Sequence, residues 1–315
     1  MRQGLIIKNT GNNSWVRFPD GAVEMCKIRG NFRLKGIKST NPVVVGDWVE
    51  VDSSNFITEI RDRKNCLVRR STNLSRQIHI IAANIDIALL VVTLKKPAVS
   101  TVFIDRFIAS AEAFGVPVAL VFNKIDLLEN ADFEYLDTII NLYKSIGYEC
   151  LKCSATGSMA NARLAHANDV GIENVKKLIN GKTALLSGNS GVGKSTIINA
   201  LSQNEVARTA QISEYHQKGM HTTTFSEIFC VDNQTFIIDT PGIKGFGTVD
   251  MQENEVGHFF REIFAASKHC RYPSCTHRNE PNCAVIQAIS DKKIAQSRYQ
   301  SYLSILEDVK QGKYR

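Results

Sequence analysis

Thr183-Ala184-Leu185-Leu186-Ser187-Gly188-Asn189-Ser190-Gly191-Val192-Gly193-Lys194-Ser195-Thr196 is the stretch that decides the fold of this 315-residue chain. An apolar strand runs into G-x-x-x-x-G-K-S, and an apolar-faced helix continues from there to Leu201. That context gives the match its meaning. A glycine loop between strand and helix can curl its amides around a phosphate, and the helix N-terminus adds partial positive charge. In this reading residues 188–193 cradle the β-phosphate and Lys194 bridges the β- and γ-phosphates. The Ser195 hydroxyl binds Mg²⁺, and Thr196 closes the phosphate site.

Upstream, Asn123-Lys124-Ile125-Asp126 follows the apolar strand Val118–Phe122 at its carboxyl end, where α/β sheets bind ligands. Guanine presents two donors on one edge, and an ionised Asp126 carboxylate can accept both. Adenine lacks that pair, so ATP would leave the carboxylate unpaired. The Lys124 stem can cover the base plane, and Asn123 can tie this loop to the phosphate loop. After a further strand, Ser154 and Ala155 can present backbone N–H groups to guanine O6. A kinase or ATPase reading conflicts with Asp126.

Downstream, Asp239-Thr240-Pro241-Gly242 closes another apolar strand, Phe236–Asp239. Asp239 can hold Mg²⁺ through a water, and the Gly242 N–H can reach the γ-phosphate. In the polar run His221-Thr222-Thr223-Thr224, Thr223 is the favoured hydroxyl to complete the Mg²⁺ shell. His221 is a candidate for positioning the attacking water. The position after Gly242 is Ile243, whose side chain cannot hydrogen-bond water as the glutamine of Ras-like enzymes does. A slow rate in isolation is therefore expected.

These motifs resemble those of the translation-factor-related GTPases, in a changed order. The usual order is phosphate loop, switch threonine, D-x-x-G, N-K-x-D and S-A. Here Asn123–Asp126 and Ser154 precede the phosphate loop. That is a circular permutation, with the sheet's former ends joined through residues 156–182.

Around this core the chain reads as three units, 1–72, 73–247 and 248–315. In the first, runs such as 5–8 and 43–51 lie between turn signals at 9–13, 19–21 and 41–42. Short strands with frequent turns predict a small β-barrel like the oligonucleotide-binding fold. Trp15, Phe18, Phe32 and Trp48 lie among Lys27, Arg29, Arg33 and Lys35, which suits either a barrel core or an RNA-stacking surface. In the second, strands alternate with helices, predicting a mostly parallel sheet with helices on both faces. The expected strands are 85–94, 118–122, 149–152, 183–187, 225–230 and 236–239. The expected helices are 105–114, 133–146 and 193–201.

The third unit reads as helical around Cys270-x4-Cys275-x-His277-x5-Cys283. Three thiolates and an imidazole suit a closed tetrahedral zinc site, structural because no coordination position stays open. Cys150 and Cys153 form a C-x-x-C without a helix N-terminus to activate it, so a structural role is expected.

The charge of +7 is unevenly spread. Residues 1–76 carry 14 basic and 7 acidic side chains, residues 77–260 carry 14 and 19, and residues 261–315 carry 10 and 5. Two basic flanks around a nucleotide-binding core favour a polyanionic partner such as RNA. No apolar run reaches the roughly 18–20 residues of a membrane span. Met1-Arg2-Gln3-Gly4 shows no secretion pattern, which makes a cytoplasmic enzyme the expectation.

Barrel, permuted GTPase and Cys3His segment together resemble the bacterial small ribosomal subunit biogenesis GTPases, the RsgA or YjeQ family. The resemblance covers essentially the whole chain. It includes Val45-Gly46-Asp47, Ile104-Asp105-Arg106 and Lys218-Gly219 ahead of His221-Thr222-Thr223. Met220 stands where the family pattern has a basic residue. The resemblance implies GTP hydrolysis to GDP and phosphate, stimulated by the small ribosomal subunit late in its maturation. It also implies contact with that subunit's rRNA, while Mg²⁺ and one structural Zn²⁺ are the cofactors the residues themselves call for, and a monomer is the expected state. The alternative from the residues alone is a GTPase acting on another RNA or RNA–protein complex.

Overall fold

The computed structural model describes residues 1–10, 13–28, 42–70, 78–155, 171–202, 226–240 and 251–311. Strand β8 (Ile87–Val92) is buried at every position. So is β9 (Val118–Phe122), and β11 (Thr183–Ser187) is buried from Ala184 onward. Such unbroken apolar runs mark parallel strands covered on both faces. β10 (Glu149–Lys152), β12 (Glu227–Cys230) and β13 (Phe236–Asp239) complete the order β10-β9-β8-β11-β13-β12. All neighbours run parallel except β12, which is antiparallel to β13.

Helices α1 (Thr101–Ala113), α2 (Asn130–Ser145), α3 (Ile172–Ile179) and α4 (Lys194–Leu201) accompany this sheet. α1 begins where the Ser100 hydroxyl accepts from the Phe103 amide, satisfying one of the orphan donors of the first turn. α2 begins with the Asp132 carboxylate accepting from the Glu129 amide at 2.7 Å. The circularly permuted GTPase fold expected from the motif order is the fold observed.

The N-terminal unit is a closed barrel of five strands. β1 (Arg2–Thr10), β2 (Asn13–Arg17), β3 (Val23–Ile28), β5 (Phe56–Ile60) and β4 (Trp48–Val51) follow one another in space, and β4 returns to β1. β3 and β5 pair in parallel; the other pairs are antiparallel. Ile6, Val16, Phe18, Cys26, Val49, Val51 and Ile57 fill the interior. Each such apolar side chain contributes about 1.5–3 kcal/mol by leaving water. Phe18 is therefore core, whereas Trp48 is 38% exposed. Phe32, Arg29, Arg33 and Lys35 lie outside the described residues. Among the described residues the register pair Lys8 with Glu227 joins β1 to β12, and barrel and GTPase sheet form one eleven-stranded sheet.

Helix α1 starts at Thr101 rather than 105, β8 is shorter than the expected 85–94, and α3 was not expected; two further differences concern how the barrel is joined. Residues 43–51 do not form one strand: Val43 to Asp47 turn, and only Trp48–Val51 extends. The turn is held by fully buried Asp47, which accepts from the Val44 amide at 2.9 Å and twice from Arg63 at 2.7 Å. Burial pushes the Asp47 carboxyl up, although Arg63 opposes this. Second, a hairpin of β6 (Cys66–Arg70) and β7 (Ile78–Ala83) bridges barrel and GTPase sheet. It packs against the turn where Gly46 adopts φ +91°, and a Cβ there would lie 2.1 Å from the Ala83 carbonyl oxygen.

The C-terminal unit carries a 3-10 turn (Val256–Phe259), α5 (Arg261–Ser267), α6 (Ala284–Ser290) and α7 (Gln296–Lys310). Its core of Val256, Phe260, Ile263, Tyr302, Ile305, Leu306 and Val309 extends to Ala109 of α1.

Candidate nucleotide site and metal centre

The phosphate-loop motif connects β11 to α4, and its glycines are set by local demands. Gly188 has φ +146°, and a Cβ would lie 2.6 Å from the Val91 carbonyl oxygen. Gly193 has φ +99°, and a Cβ would lie 2.4 Å from Asn123 Nδ2. Only glycine meets both requirements. Lys194 folds back over this loop, donating to the Gly188 and Asn189 carbonyls at 2.8 and 3.0 Å. Burial lowers its pKa, and nearby Asp239 works in the opposite direction. Ser195 and Thr196 lie in the first turn of α4.

The structure brings the second motif against the first. Asn123 is buried; its Nδ2 donates to the Val192 carbonyl at 2.9 Å, and its Oδ1 accepts from the Ala155 amide at 3.2 Å. One side chain thus joins three loops that lie far apart in the chain. Lys124 takes a left-handed φ of +59° and donates to the Gly191 carbonyl at 2.6 Å and the Lys96 carbonyl at 2.8 Å. The Ser154 hydroxyl donates to Asp126 Oδ1 at 2.6 Å. Ile125 is buried beneath the loop, and its amide donates to the Cys153 carbonyl at 3.4 Å.

Parallel pairing places Asp239 beside Leu186, at the foot of the phosphate loop. The Thr240 hydroxyl donates to the Leu186 carbonyl at 3.1 Å and pins the chain there. A hydroxyl at Ser195 and a carboxylate at Asp239 are the hard oxygen donors that suit Mg²⁺. Thr223, His221, Gly242 and Ile243 lie outside the described residues. The sequence reading missed the contribution of the loop after β8, whose Lys96 carbonyl holds Lys124. A loop at the carboxyl end of a central strand was the available signal.

In the C-terminal unit, Cys270, Cys275, His277 and Cys283 bring their ligand atoms within 4.8 Å of one another. Cys283 Sγ lies 3.7 Å from Cys275 Sγ and 3.9 Å from Cys270 Sγ. His277 Nδ1 lies 3.5 Å from Cys283 Sγ and 3.6 Å from Cys270 Sγ. Zn–S bonds of about 2.3 Å and Zn–N bonds of about 2.0–2.1 Å at tetrahedral angles require S···S of about 3.8 Å and S···N of about 3.6 Å. The cluster is compatible with one zinc ion. Tyr299 and Tyr302 donate to the His277 and Thr276 carbonyls at 2.6 and 2.7 Å, anchoring the ligand loop to α7. The Glu280 carboxylate accepts from the Thr276 amide and hydroxyl and from the Arg278 amide. Burial opposes its ionisation, but these donors hold it down to about 2.

Cys150 and Cys153 are buried, and burial pushes both thiols up to about 12. Neither has the lowered pKa of a redox thiol.

A parallel sheet with a phosphate loop at one central strand, a guanine-type loop at another and the order of the two reversed defines a circularly permuted GTPase. The family model described as RsgA GTPase matches residues 60–249, and the RsgA N-terminal domain matches residues 3–56. The chain belongs to the RsgA GTPase family, whose activity is GTP hydrolysis. It is 56% identical to the small ribosomal subunit biogenesis GTPase RsgA of Phocaeicola vulgatus, covering 99% of each chain. Against the protein of that name from Flavobacterium psychrophilum the identity is 44%, over 96% of this chain and 92% of the relative. The crystal structure of YjeQ from Thermotoga maritima matches at a TM-score of 0.75 and 30% identity, covering 98% of each chain. YloQ, described as a circularly permuted GTPase, matches at 0.72 and 27%, covering all of this chain and 97% of its own.

Proposed function

We propose that this protein hydrolyses GTP to GDP and phosphate during late maturation of the small ribosomal subunit, and that the subunit stimulates the reaction. The observation that carries the nucleotide reading is Asn123, which ties the phosphate loop to the guanine loop through Val192 and Ala155. GTP would lie across that tie, with guanine on Asp126, Ser154 and Ala155 under the Lys124 stem. Its phosphates would lie in the 188–196 segment. Ser195, Thr223 and Asp239 would hold Mg²⁺, which neutralises phosphate charge when bound. Lys194 would leave its own loop carbonyls for the β- and γ-phosphates. His221, Thr223 and the Gly242 amide would orient the water and the γ-phosphate.

The organisation into units 1–72, 73–247 and 248–315 belongs to the same reading. So do a monomeric state and a cytoplasmic location. The basic flanks fit rRNA, and the relatives' names point to the small subunit as the partner. Among the described residues no helix is long and apolar enough to cross a membrane.

The test is GTP turnover with and without purified small subunits, paired with co-sedimentation in a non-hydrolysable GTP analogue and in GDP. A slow basal rate, a large rise with subunits and tighter binding in the analogue are expected. Equal turnover with and without subunits would redirect the reading to another RNA or RNA–protein complex.

A further inference from the structure

Strand β8 ends at Val92, and the chain reaches α1 only through a loop spanning residues 93–100. That loop is internally fixed. Thr93 is buried; its hydroxyl donates to the Pro97 carbonyl, and its own carbonyl accepts from the Val99 amide at 2.9 Å. It flanks the phosphate loop closely enough that a Cβ on Gly191 would lie 3.6 Å from Pro97 Cδ. Lys96 adopts a left-handed φ of +51°. Its carbonyl accepts from Lys124 Nζ at 2.8 Å, while the same ammonium donates to Gly191 at 2.6 Å. Lys95 Nζ ion-pairs with Asp132 at 2.6 Å, in the first turn of the helix that follows Asp126. The loop is thus tied to the phosphate loop, to Lys124 and to α2.

A lysine stem has several rotatable bonds, and ordering it when a base arrives costs side-chain entropy. Two carbonyls at fixed positions remove that cost beforehand. Gly191 alone cannot do so, because a single acceptor leaves the stem free to swing about it. We infer that the 93–97 segment is a positioning element of the base pocket, with the Thr93–Pro97 bond fixing the Lys96 carbonyl that orders the Lys124 stem. This rests on the guanine-nucleotide reading above.

The test uses the full-length protein, with fluorescent GDP and competing inorganic pyrophosphate as probes. Thr93→Val removes the hydroxyl at nearly constant volume. It should weaken GDP binding about 2- to 10-fold, the effect of one hydrogen bond, mainly through faster release. Pyrophosphate, which has no base, should bind as before, and Thr93→Ser should restore GDP affinity. In a Lys124→Ala background, Thr93→Val should cause no further loss, because the group it positions is gone. If Thr93→Val fails to fold, Thr93→Ala carries the same comparison. Unchanged GDP affinity would overturn the inference, as would equal losses for GDP and pyrophosphate, which would mark general loosening. The guanine reading fails separately, if the unaltered protein binds ADP as tightly as GDP.

Discussion

Arg298 Nη1 lies 2.7 Å from Asp105 Oδ1, and both side chains are sealed from solvent. Asp105 belongs to α1 of the GTPase sheet and Arg298 to α7 of the zinc-bearing unit. The same guanidinium donates to Glu262 of α5 at 2.6 and 3.2 Å and lies 4.5 Å over the Phe260 ring. Tyr143 of α2 donates to the same Asp105 oxygen at 2.7 Å. Outside this cluster, Arg106 of α1 bonds Ser304 at 3.0 Å and pairs with Asp308. The C-terminal unit is therefore docked on α1 through desolvated, geometrically specific contacts.

Arg298→Met should destabilise the protein by about 3–5 kcal/mol, because it leaves Asp105 and Glu262 buried without their counter-charge. Urea denaturation monitored by circular dichroism measures this. Arg298→Lys should lose part of the same energy, since an ammonium cannot span both carboxylates as the planar fork does. Stability equal to that of the parent in Arg298→Met would mean the cluster contributes nothing net.

Gly193→Ala tests the junction of the two nucleotide loops. The new Cβ would meet Asn123 Nδ2 at 2.4 Å on a backbone already at φ +99°. Asn123 must then release Val192, Ala155 or both. GTP binding should fall at least about tenfold, the effect of losing one or two buried hydrogen bonds. Isothermal titration gives the number, and retained affinity would show that Asn123 can move without disturbing the pocket.

Asp126→Asn replaces an acceptor oxygen with a donor amide, and Ser154 then loses its charged partner. GTP affinity should drop about 10- to 100-fold, as expected for hydrogen bonds to a charged group. Xanthosine nucleotides, whose C2 oxygen accepts from an amide, should be favoured. Competition between GTP and XTP decides it; an unchanged preference would remove Asp126 from the base site.

The metal centre predicts about one zinc per chain by elemental analysis. Cys275→Ala or chelation should abolish that zinc and unfold the loop from Cys270 to Cys283. GTP affinity should change far less, because the nucleotide loops share no ligand with the metal. A freshly purified protein without zinc would remove the metal from the account.

The thiols of Cys150 and Cys153 give a pH prediction. Burial holds both up to about 12 against an ordinary value of 9. A raised folded-state pKa means stability is fully present below pH 9 and is lost as pH rises toward 12, because the unfolded thiols ionise first. Denaturation midpoints should fall across that window, and less so in a Cys150→Ala variant. At pH 8 in the native protein, alkylation mapped by mass spectrometry should spare both residues.

The sequence reported some elements residue for residue. The strands Val118–Phe122, Glu149–Lys152, Thr183–Ser187 and Phe236–Asp239 were bounded correctly, because motif residues end three of them abruptly. The β6–β7 hairpin was not legible. Its place depends on Gly46 and Ala83 meeting across the fold, not on local pattern. The turn from Val43 to Asp47 looked like a strand because its valines are apolar, yet Asp47 and Arg63 bury them as a turn. Arg298 lies in a polar stretch, where nothing local marks it as buried. Its partners are 36 and 193 positions away, beyond any periodicity. The ligand set of the metal centre was legible because three thiols and an imidazole so close in sequence have few other uses.

The reversed motif order also fixes when each half of the pocket is made. Asn123 and Val192, which bond each other in the finished protein, are 69 residues apart. At about 5–20 residues per second of synthesis, that gap lasts roughly 3–14 s. Within it, from the completion of β10 at Lys152 until β11 begins at Thr183, β8, β9 and β10 have been made and the β8 edge that β11 will occupy is open. An open apolar edge is a template for wrong pairing. A nucleotide cannot close it, because the phosphate loop has not yet emerged. GTP therefore cannot assist the first half of this sheet, and the growing chain must protect that half without it.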